Sequence, residues 1–261
     1  MDNTSGIKNF FEYLPESIKF HKLKNEGLAK IIFALVLICQ LIGNYIKHSF
    51  LQVVSLEDIN KIYSALFTGM IPSETKTELP FEHIIYLLLL VFGITLLVKL
   101  VSNLFFSVYM YSYISELKGK DDTGFKASIK GTYKHIGRLI FFNIIFGLII
   151  SIGMMFFIVP AIIAYVIFVF GFCYILDLKL TVADAMTASS EITKGKKGQI
   201  VSVFVGFFLL IKLPIILLLS GSSLGTSYIA AFFSTIASLI LQRLITQVYM
   251  DLEYKKGIKT K

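Results

Sequence analysis

The sequence predicts an all-α, polytopic membrane protein with six transmembrane helices arranged as three tandem hairpins, accompanied by amphipathic helices at the membrane interface. Three observations carry this. Of 261 residues, 56% are hydrophobic and 16% charged, with a mean hydropathy of +0.76, whereas a soluble domain carries about 25% charged residues. The apolar residues come in long blocks, and no charged side chain stands between Leu139 and Asp177, unlike the stripe of a soluble helix. The basic residues gather in the segments between those blocks, a pattern that sets membrane orientation.

The elements follow from length. A crossing needs about 20 apolar residues at about 1.5 Å each. The first candidate is 28–47 and the second 83–112, long enough to tilt or project beyond the membrane. The block 139–177 is too long for one crossing, and Pro160 near its middle favours a turn, giving 139–158 and 161–177. The last two are 199–219 and 227–249, separated by Ser220-Gly221-Ser222-Ser223-Leu224-Gly225.

Charge tests the count. The segments 116–138 (Lys118, Lys120, Lys126, Lys130, Lys134, Arg138) and 178–198 (Lys179, Lys194, Lys196, Lys197) are basic, as are both ends of the chain. The loop 48–82 carries Glu57, Asp58, Glu74, Glu78 and Glu82 against Lys61 and Lys76. Six spans place every basic segment on one side, expected to be the cytoplasm, whereas a single span over 139–177 would put two basic loops on opposite faces. The expected organisation is therefore a cytoplasmic interfacial helix within 1–27, a membrane domain over 28–250 with an outer loop 48–82 and cytoplasmic loops 116–138 and 178–198, and a basic cytoplasmic tail 251–261. The plasma membrane is the expected location, and no cleavable leader is expected because the first apolar block begins only after some two dozen polar or amphipathic residues.

Three amphipathic pieces lie outside the spans. Ile7, Phe10, Phe11, Leu14 and Ile18 recur at helical spacing before the first. Ser55-Leu56-Glu57-Asp58 resembles a capping box leading into an outer helix through Met70. Phe125, Ile129, Tyr133 and Ile136 line one face near Lys126, Lys130 and Lys134.

A shift of 61 residues aligns 113–137 with 174–198, with identity at Tyr113/Tyr174, Ile114/Ile175, Leu117/Leu178, Lys118/Lys179, Ala127/Ala188, Ser128/Ser189, Thr132/Thr193 and Gly137/Gly198. Glu116 matches Asp177, and Asp251-Leu252 echoes the acidic-Leu step a third time. Each unit reads as an inward span, an acidic-Leu step, a short helix, a Gly and an outward span. Asp177, Thr181, Asp184, Thr193, Lys194 and Asp251 form the candidate cytoplasmic motif, with Thr181-Val182-Ala183-Asp184 reading as a helix start.

These loops carry a resemblance. The stretch from Asp177 to Met186, continued by Glu191-Ile192-Thr193-Lys194-Gly195, and the closing Tyr249-Met250-Asp251-Leu252-Glu253-Tyr254-Lys255-Lys256-Gly257 resemble a bacterial six-span membrane family. That family includes the membrane domain attached to some glycerophosphodiester phosphodiesterases. The resemblance covers about residues 80–257 and implies a fold. It implies no phosphodiesterase activity, because the catalytic barrel is missing and Lys255 stands where the family has Arg.

The chemistry-bearing residues exclude several classes. Cys39 and Cys173 lie in apolar blocks, and the four histidines share no ligand spacing, so no metal, disulfide or other cofactor is expected. Ser223 falls in a Gly-x-Ser-x-Gly string, but on a turn between spans where no nucleophile elbow can form. The basic residues do not cluster as a nucleic-acid footprint. Within the spans, Thr95, Lys99, Asn103, Ser107 and Tyr111 recur every fourth residue. A candidate intramembrane polar pocket therefore comprises Lys99, Asn103, Asn143, Lys212, Gln242 and Arg243; its charges are cationic, which favours an anionic ligand. Lys99 and Arg243 have a bland reading as snorkelling side chains. The functions left open are a non-enzymatic membrane protein that is transport-associated or handles lipids or amphiphiles, with anionic headgroups as partners; a permease subunit of an ABC exporter served by a separate ATPase through the helices at 121–136 and 181–194; and a structural or immunity-type membrane protein.

Overall fold

The computed structural model describes residues 7–53, 81–120, 124–219 and 224–254. The outer-loop helix expected after Ser55, the turn containing Ser223 and the tail from Lys255 lie outside the described residues.

Every element among those residues is helical: α1 Phe10–Ile18, α2 Glu26–Val53, α3 Phe81–Leu117, α4 Phe125–Tyr133, α5 Ile136–Phe156, α6 Ile158–Phe168, α7 Gly171–Asp177, α8 Val182–Ile192, α9 Lys197–Phe207, a π-helical segment Phe208–Lys212, α10 Leu213–Leu219 and α11 Leu224–Glu253. Six stretches are long and apolar enough to cross a bilayer: Glu26–Phe50, Ile85–Leu117, Ile136–Phe156, Ile158–Asp177, Lys197–Leu219 and Gly225–Glu253. Consecutive spans pack in pairs, one with two, three with four, five with six, and span six also packs on spans one and two.

The turn of the second hairpin differs from the sequence expectation. Pro160 does not make the turn. The chain breaks at Phe157, the one extended residue (φ −170°, ψ 160°) between α5 and α6, and Pro160 is the third residue of α6. In the first helical turn its missing N–H has no intrahelical partner to lose, so proline starts this helix instead of ending the previous one. The hairpin closes tightly because Gly153 has no side chain: a Cβ there would lie 2.9 Å from the Cα of Ala161. Small residues let two membrane helices approach in this way.

In span five the helix widens into the π segment just before Pro214. A proline ring clashes with the carbonyl four residues back and removes one N–H. The wider turn accommodates both, and such single-turn insertions gather at functional sites.

Packing is uneven along the bundle. One end carries the basic segments, here called the basic end. The buried hydrophobic side chains of spans one and two are Leu28, Ala29, Ile32 and Val36, then Phe106, Tyr109, Met110, Tyr113 and Ile114, all in the halves nearest that end. Spans five and six follow suit: Ile200, Val203, Phe204 and Phe207 are buried in the first, and most buried residues of the second fall between Leu239 and Leu252. In the opposite half, Leu89, Leu90, Phe92, Leu96, Leu97, Leu209, Leu210, Leu217 and Leu218 are exposed, as lipid-facing residues are. The buried core is therefore concentrated toward the basic end.

The short helices α4 and α8 cap the basic end. The N-caps of α5 and α9, His135 (φ −115°, ψ 11°) and Lys196 (φ −121°, ψ 3°), share one backbone conformation in the 61-residue register, and Ser128/Ser189 and Thr132/Thr193 are buried in both copies. The face of α4 that turns inward is Ser128 and Thr132, not the aromatic face: Ile129 and Tyr133 are exposed. Likewise α1 buries Phe10, Tyr13 and Ser17 against the bundle and leaves Phe11 and Ile18 outside. Both helices therefore turn hydroxylated residues toward the bundle, joined in α1 by Phe10, and leave apolar side chains outward.

Candidate functional site at the basic end and in the spans

Three acidic residues close the three spans that run toward the basic end, and each is tied to a different part of the chain. Glu116 Oε2 accepts from the backbone N–H of Lys24 at 2.9 Å. Asp251 Oδ2 accepts from the Tyr13 hydroxyl at 2.9 Å. Asp177, whose side chain is 1% exposed, accepts from Lys118 Nζ, from Tyr249 at 2.9 Å and from Tyr254 at 2.6 Å. A buried carboxylate is tolerable only when paired and fully hydrogen-bonded, and Asp177 is both. The ammonium of Lys118 also lies 4.5 Å from the centre of the Tyr254 ring. Next to this centre Tyr174 donates to Glu253 at 2.7 Å.

The N-terminal segment is laid across spans two and six by the same chemistry. Beyond Tyr13, Ser17 Oγ donates to Gln247 Oε1 at 3.1 Å, and Gln247 Nε2 donates to the Tyr113 hydroxyl at 3.0 Å. Tyr109 donates to the Phe20 carbonyl at 2.8 Å and Arg243 Nη1 to the Lys22 carbonyl at 3.0 Å. The Arg243 guanidinium stacks 4.1 Å from the Tyr113 ring centre. Where Phe10 meets span five, Gly206 leaves the room: a Cβ there would stand 2.8 Å from the ring. Tyr13, Tyr113, Gln247, Met250 and Asp251 line one side of a cleft of about 420 Å³ beneath this strap.

Outside the membrane-spanning segments the electrostatics follow from these contacts. Burial, reinforced by the Asp251 carboxylate, raises the Tyr13 phenol far above its usual range. Burial works against the Lys118 ammonium, but Asp177 and Tyr254 outweigh it and hold Lys118 above the usual lysine value. Burial and the Asp177 carboxylate raise Tyr254. His135 is held below its usual value by burial and by Arg138, Lys179 and Lys134 around it. All four groups thus keep the protonation state that the contacts require at neutral pH.

The residues of the candidate cytoplasmic motif divide. Asp177 and Asp251 are in the acidic collar. Thr181 is the N-cap of α8: its Oγ1 accepts from the backbone N–H of Asp184 at 3.3 Å and donates to Asp184 Oδ2 at 2.6 Å. Thr193 is buried and donates to the Ser190 carbonyl at 3.0 Å. Lys194 is exposed on a shallow groove of about 290 Å³ shared with Met186 and Glu191. Three of these are helix-end residues whose chemistry is local.

The six candidate pocket residues do not converge on one place. Asn103 Nδ2 donates to Asn143 Oδ1 at 2.7 Å, joining spans two and three, while Asn143 Nδ2 returns to the Leu139 carbonyl. Lys212 Nζ donates to Ser234 Oγ at 3.0 Å, joining spans five and six. Lys99 is exposed on the outside of span two, since a step of four residues advances about 40° round a helix and the predicted stripe winds away from the interior. Gln242 is half-buried, and Arg243 is buried beneath the N-terminal strap. Each span pair has its own polar tie.

Sequence reasoning missed the tyrosines. Tyr113 and Tyr174 repeat in register and Tyr249 and Tyr254 belong to the closing motif, so both signals were in the chain; Tyr13 and Ser17 share the i, i+4 face of α1 opposite its apolar stripe. Among the described residues no group of three His, Cys, Asp or Glu could hold a metal ion.

A family model for an uncharacterised protein family, UPF0259, matches residues 15–250, which covers all six spans and the collar up to Met250. The chain belongs to that family. The match shows no link between this UPF0259 member and the glycerophosphodiester phosphodiesterases that its loops resemble. Comparison with curated proteins and with solved structures gives no match.

Proposed function

We propose that the protein is a non-enzymatic, multi-pass protein of the plasma membrane that handles anionic lipids or amphiphiles, with its basic end and both termini in the cytoplasm. The observation that carries this reading is α4. It turns Ser128 and Thr132 inward and leaves Ile129 and Tyr133 exposed among the exposed Lys126, Lys130 and Lys134. An apolar stripe flanked by lysines, lying at the end of a membrane bundle, is the surface that inserts among anionic headgroups. α1 repeats the arrangement with Phe11 and Ile18 outward. The collar supports a holding role over a catalytic one, since its carboxylates and tyrosines are engaged with one another. The shared N-cap geometry of α5 and α9 and the paired burial in their loops support reading the chain as an internal repeat of hairpins.

One further observation favours a second reading, a permease subunit served by a separate ATPase. α8 buries Val182, Ala185, Ser189 and Ile192 and presents Asp184, Thr187 and Glu191 outward beside the groove at Lys194, as a helix docking a soluble partner would.

The test is purification of the full chain in mild detergent with mass spectrometry of the lipids and proteins that come with it. Anionic phospholipid should be enriched at least about tenfold over zwitterionic lipid. The enrichment should fall when Lys126, Lys130 and Lys134 become Gln. Equal retention of both lipid classes sinks the lipid reading, and a stoichiometric ATPase would replace it with the second.

A further inference from the structure

The structure also places a cation inside span five, away from the basic end. Lys212 stands 15 residues from Lys197, about 22 Å along span five, and seven from Leu219, about 10 Å from the other end. It is therefore in the half of the span remote from the basic end. A lysine this close to a span end can snorkel to the interface. Lys212 does not; its ammonium turns sideways to Ser234 on span six and is half-buried there.

Ser234 supplies a neutral hydroxyl. Transfer of an unpaired ammonium into apolar surroundings is costly, and a single hydroxyl does not compensate it. The acidic residues of the spans cannot help. Glu26, Glu116, Asp177, Asp251 and Glu253 all stand at the basic ends of their spans, and spans three and five carry none. No carboxylate within the spans therefore stands at the level of Lys212; at that end the acidic residues are Glu82, just before span two, and those of the loop preceding it.

The surroundings describe its carrier. Lys212 ends the π-helical segment, whose widened turn Pro214 requires. On the same stretch Phe208, Leu209, Leu210 and Ile216 are exposed, and Phe233 is exposed beside Ser234 on span six. The seam continues one turn along span six, where Ser238 Oγ donates to the Ser234 carbonyl at 2.8 Å. The seam thus pairs a cation and hydroxyls with an open apolar flank.

We propose that the Lys212–Ser234 seam binds the phosphate of an anionic amphiphile that enters sideways from the leaflet remote from the basic end. The phosphate accepts from Lys212 Nζ and Ser234 Oγ, and the acyl chains lie along Phe208, Leu209 and Phe233. This deepens the lipid-handling reading and rests on it, but at a site separate from the lysines of α4.

The experiment uses the full chain in nanodiscs of phosphatidylcholine doped with phosphatidylglycerol, read by native mass spectrometry. The expected result is one tightly held phosphatidylglycerol per chain. Lys212→Leu should lose it by at least tenfold and Ser234→Ala by a smaller factor, while Lys212→Arg retains it. The Lys126/Lys130/Lys134→Gln variant should shed loosely held lipid and keep this one, which separates failure at α4 from failure at the seam. Inorganic phosphate at millimolar concentration should not displace the lipid; displacement would assign the seam to a free anion instead. Equal retention by wild type and Lys212→Leu, with thermal melts showing both folded, would overturn the proposal.

Discussion

The hydroxyl of Tyr13 donates to Asp251 at 2.9 Å across 238 residues of sequence, and this bond fixes where the two ends of the chain meet. An odd number of crossings would have separated them. Tyr13 and Asp251 therefore lie at one end of the bundle, and the N-terminal helix serves as a strap over the ends of spans two and six.

The strap should be measurable as a coupling energy. A hydrogen bond to a carboxylate contributes about 1.5–3 kcal/mol. Tyr13→Phe removes the donor and should lower the melting temperature of the purified protein by several degrees, with Asp251→Leu, which removes the acceptor, doing about the same. The double variant should fall well short of the sum, because either change alone breaks the same bond. Strict additivity in the double-mutant cycle would show that the two residues act separately.

Asp177 should be less tolerant than Asp251. Its carboxylate is shielded from solvent and holds Lys118, Tyr249 and Tyr254 together. Replacing it by Asn leaves a partly buried ammonium without its anion, which costs on the order of 3 kcal/mol. Asp177→Asn should therefore express poorly or melt far below the wild type. Lys118→Met, which removes the charge and keeps the stem, should be milder when combined with Asp177→Asn than Asp177→Asn alone. A wild-type melt for the single variant would show that the collar does not hold the spans.

Much of this was legible in the chain, and the gaps have physical causes. Block length and basic loops gave six spans, because a bilayer imposes a length and a charge asymmetry on any sequence that crosses it. The Phe157 break escaped notice because proline was read as a helix breaker, while at the third position of α6 it is a helix starter. Which faces of α1 and α4 turn inward was not legible for a related reason. In a membrane protein the apolar stripe of a short helix can face lipid, so hydrophobicity alone does not say which side is inside. The acidic-Leu steps showed that Glu116, Asp177 and Asp251 matter, but not that tyrosines answer them, since those contacts join residues from distant spans. Lys212 was visible as an intramembrane cation; its sideways turn to Ser234 was not.

Gly206 should be a sensitive position for the strap. Any side chain there meets the Phe10 ring at less than 3 Å. Gly206→Ala should push α1 away and expose the Lys19–Lys24 stretch to trypsin in detergent, raising the cleavage rate several-fold. Phe10→Ala, which vacates the space, should bring cleavage of the Gly206→Ala protein closer to that of Phe10→Ala alone. If Gly206→Ala is cleaved no faster than wild type, the contact between α1 and span five does not govern docking.

The collar also carries a pH response through His135. Its Nδ1 is buried without a hydrogen-bond partner, and burial together with Arg138, Lys179 and Lys134 holds its pKa below the ordinary 6.5. A group whose folded pKa is depressed binds fewer protons in the folded state across that window. Stability is then fully present above the ordinary value and is lost as pH falls through it toward the folded value. The melting temperature should decline between about pH 7.5 and about pH 5.5, the range in which a histidine changes charge. Part of that decline belongs to His135, and His135→Gln should flatten it while leaving the melt at pH 7.5 close to wild type. The difference between the two proteins at each pH isolates the histidine from carboxylates that titrate in both. A profile for His135→Gln parallel to wild type over the whole range would remove His135 as the source of the acid sensitivity.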